Sequence, residues 1–402
     1  MIIKPRIRGF ICTTAHPAGC AEHVNYQIQQ VQSQEDLTAG DFKNVLVLGC
    51  SGGYGLASRI VAGFGARANT LGVSLEKEPS ASKTASAGWY NNKAFETFAA
   101  KEGLYARTID GDAFSDEIRQ QAIETIKKDL GQIDLVVYSL ASPVRLHPRT
   151  QTLHRSSIKP LGENVLEMKS VNVDKGEVTQ VSLEPASKEE VADTVSVMGG
   201  EDWEYWMQAL KEENLLATGC QTIAFTYIGS ELTWPIYWDG TLGQAKMDLD
   251  RAQQAISDSL STLGGAARVA VLKAIVSQAS AAIPVVPLYV ALLFKVMKEQ
   301  NSHEDCISHI YRLFSTQLKP GTYQRLDESK RIRMDDQELM DQVQEEVRQR
   351  WQLVDTSSLG EHGDLEGFRK DFLKIFGFGF SSVDYEQEVD PLGSGISEDV
   401  LG

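Results

Sequence analysis

Residues 45–59 read VLVLGCSGGYGLASR, and this stretch decides the fold. It opens with four consecutive apolar residues, which are typical of a strand that is covered on both faces. Three glycines follow in the spacing G-x-x-x-G-x-G, and apolar residues then recur at helical spacing. The pattern predicts a buried strand, a tight glycine turn and the start of a helix.

The glycine turn predicts a phosphate-binding site. Gly49, Gly53 and Gly55 lack a β-carbon, so backbone N–H groups can approach an anion closely. The helix that follows adds unpaired N–H groups and a partial positive charge. A pyrophosphate fits such a turn, although a plain glycine-rich turn gives the same spacing.

A carboxylate after the second apolar run narrows the predicted ligand to a dinucleotide. Residues 71–75 read LGVSL, and Glu76 follows them, 21 residues after Gly55. A carboxylate in this place accepts hydrogen bonds from ribose hydroxyls and repels a 2′-phosphate. The sequence therefore predicts NADH rather than NADPH, and the adjacent Lys77 softens that preference.

Strands and helices alternate through residues 41–150. The predicted strands are 45–49, 70–75, 104–109 and 133–140, and the predicted helices are 54–64, 91–101 and 115–129. The alternation predicts an α/β fold with a Rossmann-type doubly wound parallel sheet, whose strand ends line a dinucleotide crevice. Asp112, after the third strand, is expected either to bind adenine or to cap the next helix.

The alternation of strands and helices stops at residue 144, and residues 144–219 are predicted to be an insertion. Alternating residues on either side of 174–176 predict a β-hairpin over 165–184. Ser187 followed by Glu190 predicts a capping box at the start of a short helix. Six basic residues suit either a solvated loop or a dock for the phosphates of coenzyme A or phosphopantetheine. They are Arg145, His147, Arg149, His154, Arg155 and Lys159.

Composition limits the expected partners and compartment. The 402 residues carry a formal net charge of −16, which disfavours nucleic acid and anionic membranes as partners. The five cysteines include no C-x-x-C pair, which indicates reduced thiols in a cytoplasm. Cys12, His16 and Cys20 lack a fourth ligand at a usual spacing, so no metal is expected. The apolar stretch 281–294 contains two prolines and predicts a buried helix or an acyl-pocket wall rather than a membrane span.

A tyrosine and a lysine follow the predicted fifth strand at 222–227. Tyr237 precedes a helix predicted from Gly243 onward, and Lys246 lies inside it. A nearby ammonium lowers the pKa of a phenol, and a phenol can stabilise an oxygen that gains charge when hydride adds to a substrate. The pair is a weak motif alone because both residue types are common, but its position after a dinucleotide fold favours a reductase.

These motifs together resemble one enzyme family. The segments GCSGGYGLASR, SLASP and TYIGSELTWPIYWDG, with nine residues from Tyr237 to Lys246, are similar to the FabV type of enoyl-ACP reductase, which is also the trans-2-enoyl-CoA reductase family. The resemblance runs from MIIKPRIRGFICTTAHPAGC to the C-terminal region. It implies NADH-dependent reduction of the trans-2 double bond of enoyl-ACP or enoyl-CoA in fatty acid biosynthesis. It also implies a monomer that acyl carrier protein contacts transiently.

The resemblance implies roles for individual residues. Tyr237 is expected to be catalytic together with Lys246, and Tyr227 is expected to contact the substrate. The residues implied for NADH are Gly49, Cys50, Ser51, Gly52, Gly53, Tyr54, Leu75, Glu76, Asp112, Ala113, Leu140, Ala141, Lys246, Ile275, Val276 and Ser277. Gln244 stands where members of the family often have a lysine, and Ser51-Gly52 replaces a Ser-Thr pair.

Two alternatives remain open from the sequence. A β-ketoacyl or ketone reductase of the short-chain dehydrogenase type would use the same pair, but Ala224 stands thirteen residues before Tyr237, where such enzymes need a serine. A non-catalytic NAD-binding protein would keep the fold without the reaction.

The chain is expected to form a single enlarged dinucleotide-binding domain. Residues 1–40 would form an N-terminal cap, and residues 41–143 and 220–300 would form the Rossmann core. Residues 144–219 would be the insertion with its hairpin and helix, and residues 301–402 a helical C-terminal extension.

Overall fold

A computed structural model describes residues 1–9 and 11–393. Seven strands form a parallel sheet, and they are Asn44–Leu48 (β1), Asn69–Ser74 (β2), Ala106–Asp110 (β3), Ile133–Tyr138 (β4), Leu216–Thr226 (β5), Ala266–Val271 (β6) and Ile332–Arg333 (β7). Their spatial order is β7-β6-β5-β4-β1-β2-β3. The order reverses between β1 and β4, the point at which doubly wound sheets bind ligands. The predicted Rossmann-type sheet is confirmed.

Helices cover both faces of this sheet. Strand β1 sends Val45 and Val47 into one core and Leu46 and Leu48 into the other, as a fully covered strand must. The first core is closed by helices Pro17–Gln32, Gly53–Ile60, Ala87–Lys101 and Cys306–Leu313. The second is closed by helices Asp116–Thr125, Glu201–Glu212 and Thr241–Leu260.

A third core lies beside the sheet and holds Tyr237. Here the predicted apolar helix is observed as Val286–Glu299, with almost all of its apolar residues buried. It packs with helices Asp341–Leu353 and Leu365–Ile375. The smaller helices are Lys188–Met198, Gln278–Ala281 and Leu359–His362.

The insertion has the predicted hairpin, formed by Leu166–Asn172 and Glu177–Leu183. The predicted capping box is present, because Ser187 accepts from the N–H of Glu190 and Glu190 accepts from the N–H of Ser187. Two short antiparallel pairs were not foreseen. They are Ile7–Arg8 with Ile11–Cys12, and Val144–Leu146 with Leu153–Arg155.

Several element bounds differ from those predicted. The helices predicted as 54–64 and 115–129 end as α-helix at residues 60 and 125 and continue as π-helical turns, which keep the apolar pattern but change the hydrogen bonding. Strand β5 begins at Leu216 rather than at 222, and its register with β4 shifts between Leu216 and Gln221. This first part, LATGC, lacks the apolar run that marks a strand.

Between residues 301 and 393 the chain forms four α-helices and one strand. Ile332–Arg333 pairs with the end of β6 and becomes β7. Two residues are too few to give a readable periodicity. Within residues 1–9 and 11–393, none of the helices has the length and apolar character that spanning a membrane requires. The division of the chain into one enlarged domain with named parts stays a prediction.

Candidate active site

The glycine turn brings backbones closer together than any side chain would allow. Gly49 has a φ of +86°, and a β-carbon there would lie 2.4 Å from the carbonyl oxygen of Ser139 at the end of β4. A β-carbon on Gly55 would lie 1.9 Å from the carbonyl oxygen of Gly49. These two glycines therefore serve the turn itself, and they hold the start of helix Gly53–Ile60 against β1 and β4.

The backbone N–H groups of the glycine turn differ in whether they already have an acceptor in the protein. The N–H groups of Gly49 and Cys50 both donate to the carbonyl of Val73, at 2.8 and 3.2 Å. By contrast, a β-carbon on Gly52 or Gly53 would meet no atom within 4 Å. Open space therefore lies in front of the helix's first turn, whose N–H groups have no acceptor within the helix. This open space in front of residues 51–54 has the place and the backbone N–H groups that a pyrophosphate requires.

Glu76 lies beside the cradle. Its carboxylate accepts from the hydroxyls of Ser51, at 2.5 Å, and Ser86, and its own N–H donates to Asp110 at 2.8 Å. The preceding Leu75 is 69% exposed, which is unusual for a leucine at a strand end. The carboxylate is thus fixed next to the turn, with an open apolar surface beside it.

The other residues implied for NADH lie at the same edge of the sheet. Asp112-Ala113 follows β3, Leu140-Ala141 follows β4, and residues 275–277 follow β6. Carboxyl ends of parallel strands share one edge, so the fold brings these segments to the edge that carries the glycine turn. The helix after β3 is capped by Ser115, and the Asp112 carboxylate accepts from the N–H of Phe114 at 3.0 Å. Asp112 therefore shapes the turn rather than capping the helix directly.

Tyr227 and Tyr237 lie in contact, but their hydroxyls differ. The rings meet edge to face, with centroids 5.1 Å apart and an interplanar angle of 81°. The Tyr227 hydroxyl donates to Glu338 at 2.9 Å. Tyr237 is 7% exposed, and its hydroxyl has no hydrogen-bond partner among residues 1–9 and 11–393. Tyr237 is thus held in place while its polar atom stays available.

The Lys246 ammonium, like the Tyr237 hydroxyl, has no hydrogen-bond partner among the described residues. Lys246 lies in the second turn of helix Thr241–Leu260 and is 8% exposed, and its ammonium makes no hydrogen bond or ion pair to any part of the chain that the structure describes. Burial lowers the pKa of Lys246 to about 8. Burial also raises the pKa of Tyr237, with no contribution from a charged neighbour. The prediction that Lys246 lowers the pKa of Tyr237 is therefore wrong.

A buried carboxylate completes the site, and sequence reasoning missed it. Glu338 has no exposed surface and accepts from the hydroxyls of Tyr227 and Tyr289, both at 2.9 Å. It lies 111 residues after Tyr227, in the polar run RMDDQELM. No motif or spacing in that run distinguishes this glutamate from a surface residue.

The basic residues of the insertion are mostly neutralised within the protein. Arg145 is 1% exposed and donates to Glu201 at 2.9 Å, and His147 lies 3.1 Å from the same carboxylate. Two further pairs are His154–Asp193 at 2.7 Å and Lys159–Glu190 at 2.6 Å. Arg149 and Arg155 are exposed and have no ion pair among the described residues, so only this part of the cluster remains open to a phosphate. Acidic partners 31 to 56 residues away in the chain were not visible as partners in the sequence.

The N-terminal Cys and His residues have other roles. The Nδ1 atom of His16 accepts from the N–H of Gly19 at 3.2 Å and so caps helix Pro17–Gln32. The described residues contain no group of three or more His, Cys, Asp or Glu side chains placed to hold a metal ion.

Family comparisons match most of the chain. The description "Trans-2-enoyl-CoA reductase catalytic region" fits residues 83–319, more than half of the chain. "NAD(P)H binding domain of trans-2-enoyl-CoA reductase" fits residues 2–81, and "Enoyl reductase FAD binding domain" fits residues 326–389.

Individual relatives cover nearly the whole length. The chain is 54% identical to enoyl-(acyl-carrier-protein) reductase (NADH) 1 of Vibrio vulnificus strain YJ016, over 97% of this chain and 98% of the relative. It is similar to the structure of Treponema denticola trans-2-enoyl-CoA reductase in complex with NAD, with 48% identity, a TM-score of 0.93 and coverage of 97% and 98% of the two chains. The corresponding Clostridium acetobutulicum enzyme with NADH shows 40% identity, a TM-score of 0.94 and 99% coverage of both chains. The chain therefore belongs to the trans-2-enoyl-CoA reductase family of NADH-dependent enoyl reductases.

Proposed function

We propose that the protein reduces the trans-2 double bond of enoyl thioesters with NADH, giving the saturated acyl thioester. The observation that carries this proposal is the pair of unpartnered polar groups, the Tyr237 hydroxyl and the Lys246 ammonium, on the segment that follows β5. Within residues 1–9 and 11–393 neither polar atom has a hydrogen-bond partner, and neither is fully enclosed by the protein, so a ligand can reach both of them. Membership of the enoyl reductase family gives the ligand its chemistry.

The cofactor fits the open cradle. Residues 51–54 would hold the pyrophosphate, and Glu76 would accept hydrogen bonds from the adenosine ribose with Leu75 against adenine. Asp112 and Ala113 would lie on the adenosine side. Leu140, Ala141, Lys246 and residues 275–277 would line the nicotinamide half. When bound, NADH supplies the hydride that reaches the β-carbon of the enoyl group.

Tyr237 would stabilise the charge that the reduction creates. Hydride addition at the β-carbon moves electrons through the conjugated system onto the thioester oxygen, which becomes an enolate oxygen. The Tyr237 hydroxyl donates a hydrogen bond to that oxygen, and the α-carbon takes a proton afterwards. Because burial raises the pKa of Tyr237, the hydroxyl keeps its proton at neutral pH and acts as a neutral donor.

Lys246 would support binding rather than activate the tyrosine. With a pKa lowered to about 8, its side chain is mainly an ammonium at pH 7. An ammonium at this place can donate to the nicotinamide ribose and adds positive potential where the substrate oxygen becomes charged.

The carrier and the cellular setting belong to the same proposal. Acyl carrier protein is proposed as the physiological carrier, with coenzyme A thioesters as alternative substrates, because relatives that are 54% identical are named enoyl-ACP reductases. Fatty acid biosynthesis is the corresponding pathway. A cytoplasmic location agrees with five free cysteines. A monomeric state follows from the family resemblance alone.

A flavin does not fit residues 326–389. In this segment, Val343, Val347 and Phe368 are buried against helix Val286–Glu299, and the Glu338 carboxylate is fully bonded. None of the helices described there begins at a glycine turn after a parallel strand, the usual cradle for a dinucleotide phosphate.

The decisive assay compares two thioesters with NADH. Crotonyl-CoA should be reduced rapidly to butyryl-CoA, and acetoacetyl-CoA should be a poor substrate. Preferential reduction of acetoacetyl-CoA would instead support a ketoreductase. Failure to oxidise NADH with either thioester, despite NADH binding, would support a non-catalytic NAD-binding protein.

A further inference from the structure

Glu338 lies where the substrate side and the cofactor side of the site meet. It sits between β7 and helix Asp341–Leu353, with no exposed surface. One carboxylate oxygen accepts from the hydroxyls of Tyr227 and Tyr289, each at 2.9 Å. The other accepts from the N–H of Ala274 at 2.6 Å, directly before the cofactor segment 275–277. The Glu338 side chain thus bonds both to the hydroxyl of Tyr227, whose ring packs on Tyr237, and to the backbone directly before residues 275–277.

The direction of these hydrogen bonds follows from Gln344. Its side-chain nitrogen donates to the backbone oxygen of Glu338 at 2.6 Å and to the Tyr289 hydroxyl at 3.1 Å. A carbonyl oxygen only accepts, so the amide nitrogen of Gln344 must face it. The Tyr289 oxygen therefore accepts from Gln344, and its own proton goes to Glu338. Ala274 also donates to Glu338, because an N–H can only donate.

Glu338 thus already receives two donors, and Lys273 adds positive charge nearby. Burial raises the pKa of Glu338, and these donors act against it in favour of the carboxylate, for which the Tyr227 hydroxyl is the third donor. A tyrosine has a single hydroxyl proton. If Glu338 takes the proton of Tyr227, Tyr227 cannot also donate it to a substrate oxygen.

We propose that Glu338 is a positioning residue for the reduction: its carboxylate takes the hydroxyl proton of Tyr227 and holds that ring against Tyr237, so that Tyr237 alone offers a phenolic proton to the thioester. This inference rests on the proposed function. Tyr227 then contacts the substrate through its ring and not as a second donor.

Glu338→Gln tests the polarity of this arrangement without changing its shape. The amide oxygen of the glutamine must face the N–H of Ala274, so its NH2 group faces the two phenols. The Tyr227 proton then has no acceptor at residue 338, and the hydrogen bond that holds the Tyr227 ring against Tyr237 is lost. We expect kcat with crotonyl-CoA to fall roughly tenfold, the order of one hydrogen bond to a charged group. The Kd for NADH should stay within about twofold, because the bond to Ala274 is kept.

A double-mutant cycle identifies the partner. Tyr227→Phe should show the same roughly tenfold loss, and the double variant should lose no more than either single one, since both changes remove one interaction. Glu345→Gln is the matched control. It changes an exposed carboxylate on helix Asp341–Leu353 that touches no residue of the site, and kcat should not change.

The pH dependence of kcat is a second test, because a purely structural role of Glu338 would not change it. Burial raises the pKa of Glu338, while Ala274, Lys273 and the hydroxyls of Tyr289 and Tyr227 act to lower it. Protonated Glu338 has the same polarity as glutamine, so wild-type kcat should fall as the pH drops through that raised pKa. This loss of kcat at low pH should be absent in Tyr227→Phe. The pH profile of Tyr227→Phe therefore tests the proposal even if Glu338→Gln does not fold.

Three results would overturn the proposal. They are wild-type kcat in Glu338→Gln, additive losses in the double variant, and a loss of kcat at low pH that persists in Tyr227→Phe. A parallel loss of NADH affinity and kcat would also count against it, because it would show a general structural role. The wild-type reaction with crotonyl-CoA is measured alongside. If the wild-type protein does not reduce crotonyl-CoA, the proposed function fails. If it does, but the double-mutant cycle gives additive losses, only the role of Glu338 is refuted.

Discussion

Replacing Tyr237 by phenylalanine tests the role of its hydroxyl with little disturbance to the fold. The hydroxyl has no hydrogen-bond partner in the part of the chain that the structure describes, so its removal breaks no hydrogen bond there, and the ring keeps its edge-to-face contact with Tyr227. A preorganised donor to a developing oxyanion lowers the barrier by about 3–4 kcal/mol. At 1.36 kcal/mol for each factor of ten, Tyr237→Phe should therefore lower kcat by roughly a hundred- to a thousandfold.

The assay follows NADH absorbance with saturating crotonyl-CoA, and NADH affinity is measured separately by fluorescence. We expect an unchanged Kd for NADH and an unchanged Tm, since no hydrogen bond within the described residues is lost. Tyr323→Phe is the matched control because Tyr323 is 88% exposed and makes no contact with the site. Turnover of Tyr237→Phe within threefold of wild type would refute the proton-donor role.

Three further substitutions test the cofactor site. Glu76→Ala should shift the ratio of kcat/KM for NADH over NADPH roughly tenfold towards NADPH, because a carboxylate no longer repels the 2′-phosphate; an unchanged ratio removes the ribose assignment. Gly52 has an extended backbone with open space beside it, so Gly52→Val should be tolerated by the fold but should obstruct the pyrophosphate. We expect NADH binding to weaken at least tenfold, while the free energy of unfolding in urea changes by less than about 1 kcal/mol. Normal NADH affinity would place the pyrophosphate elsewhere. Lys246→Met should raise the free energy of unfolding of the NADH-free protein at pH 7 by on the order of 2–3 kcal/mol. Burial lowers the lysine pKa from 10.5 to about 8, so the wild-type protein loses stability by burying a charged ammonium, and this loss is fully present below pH 8. That gain should disappear as the pH rises towards 10.5, and an equal gain at both pH values would contradict it.

The sheet and its ligand edge were predictable because they rest on local patterns. Four apolar residues before a glycine turn mark β1, and the same alternation recurs for β2 to β4. The hairpin over 165–184 and the capping box at Ser187 are equally local, and both were confirmed. In contrast, β7 has two residues and is defined only by its pairing with β6.

The part of the site that was missed depends on contacts between distant residues. Glu338 meets Tyr227 across 111 residues and Tyr289 across 49, and a single sequence contains no signal for such pairs. The same limit applies to Arg145, whose partner Glu201 is 56 residues away. The pKa argument for Tyr237 failed for a related reason: nine residues of separation gave no distance between the two side chains, and burial is what sets the pKa of each.

The fate of the transferred hydrogen tests the central claim most directly. Wild-type protein is given crotonyl-CoA and NADH that carries deuterium at its transferable position, and the product is examined by NMR and mass spectrometry. We predict butyryl-CoA with one deuterium on the β-carbon and a solvent hydrogen on the α-carbon. Deuterium on the α-carbon, or an unreduced double bond, would contradict the account.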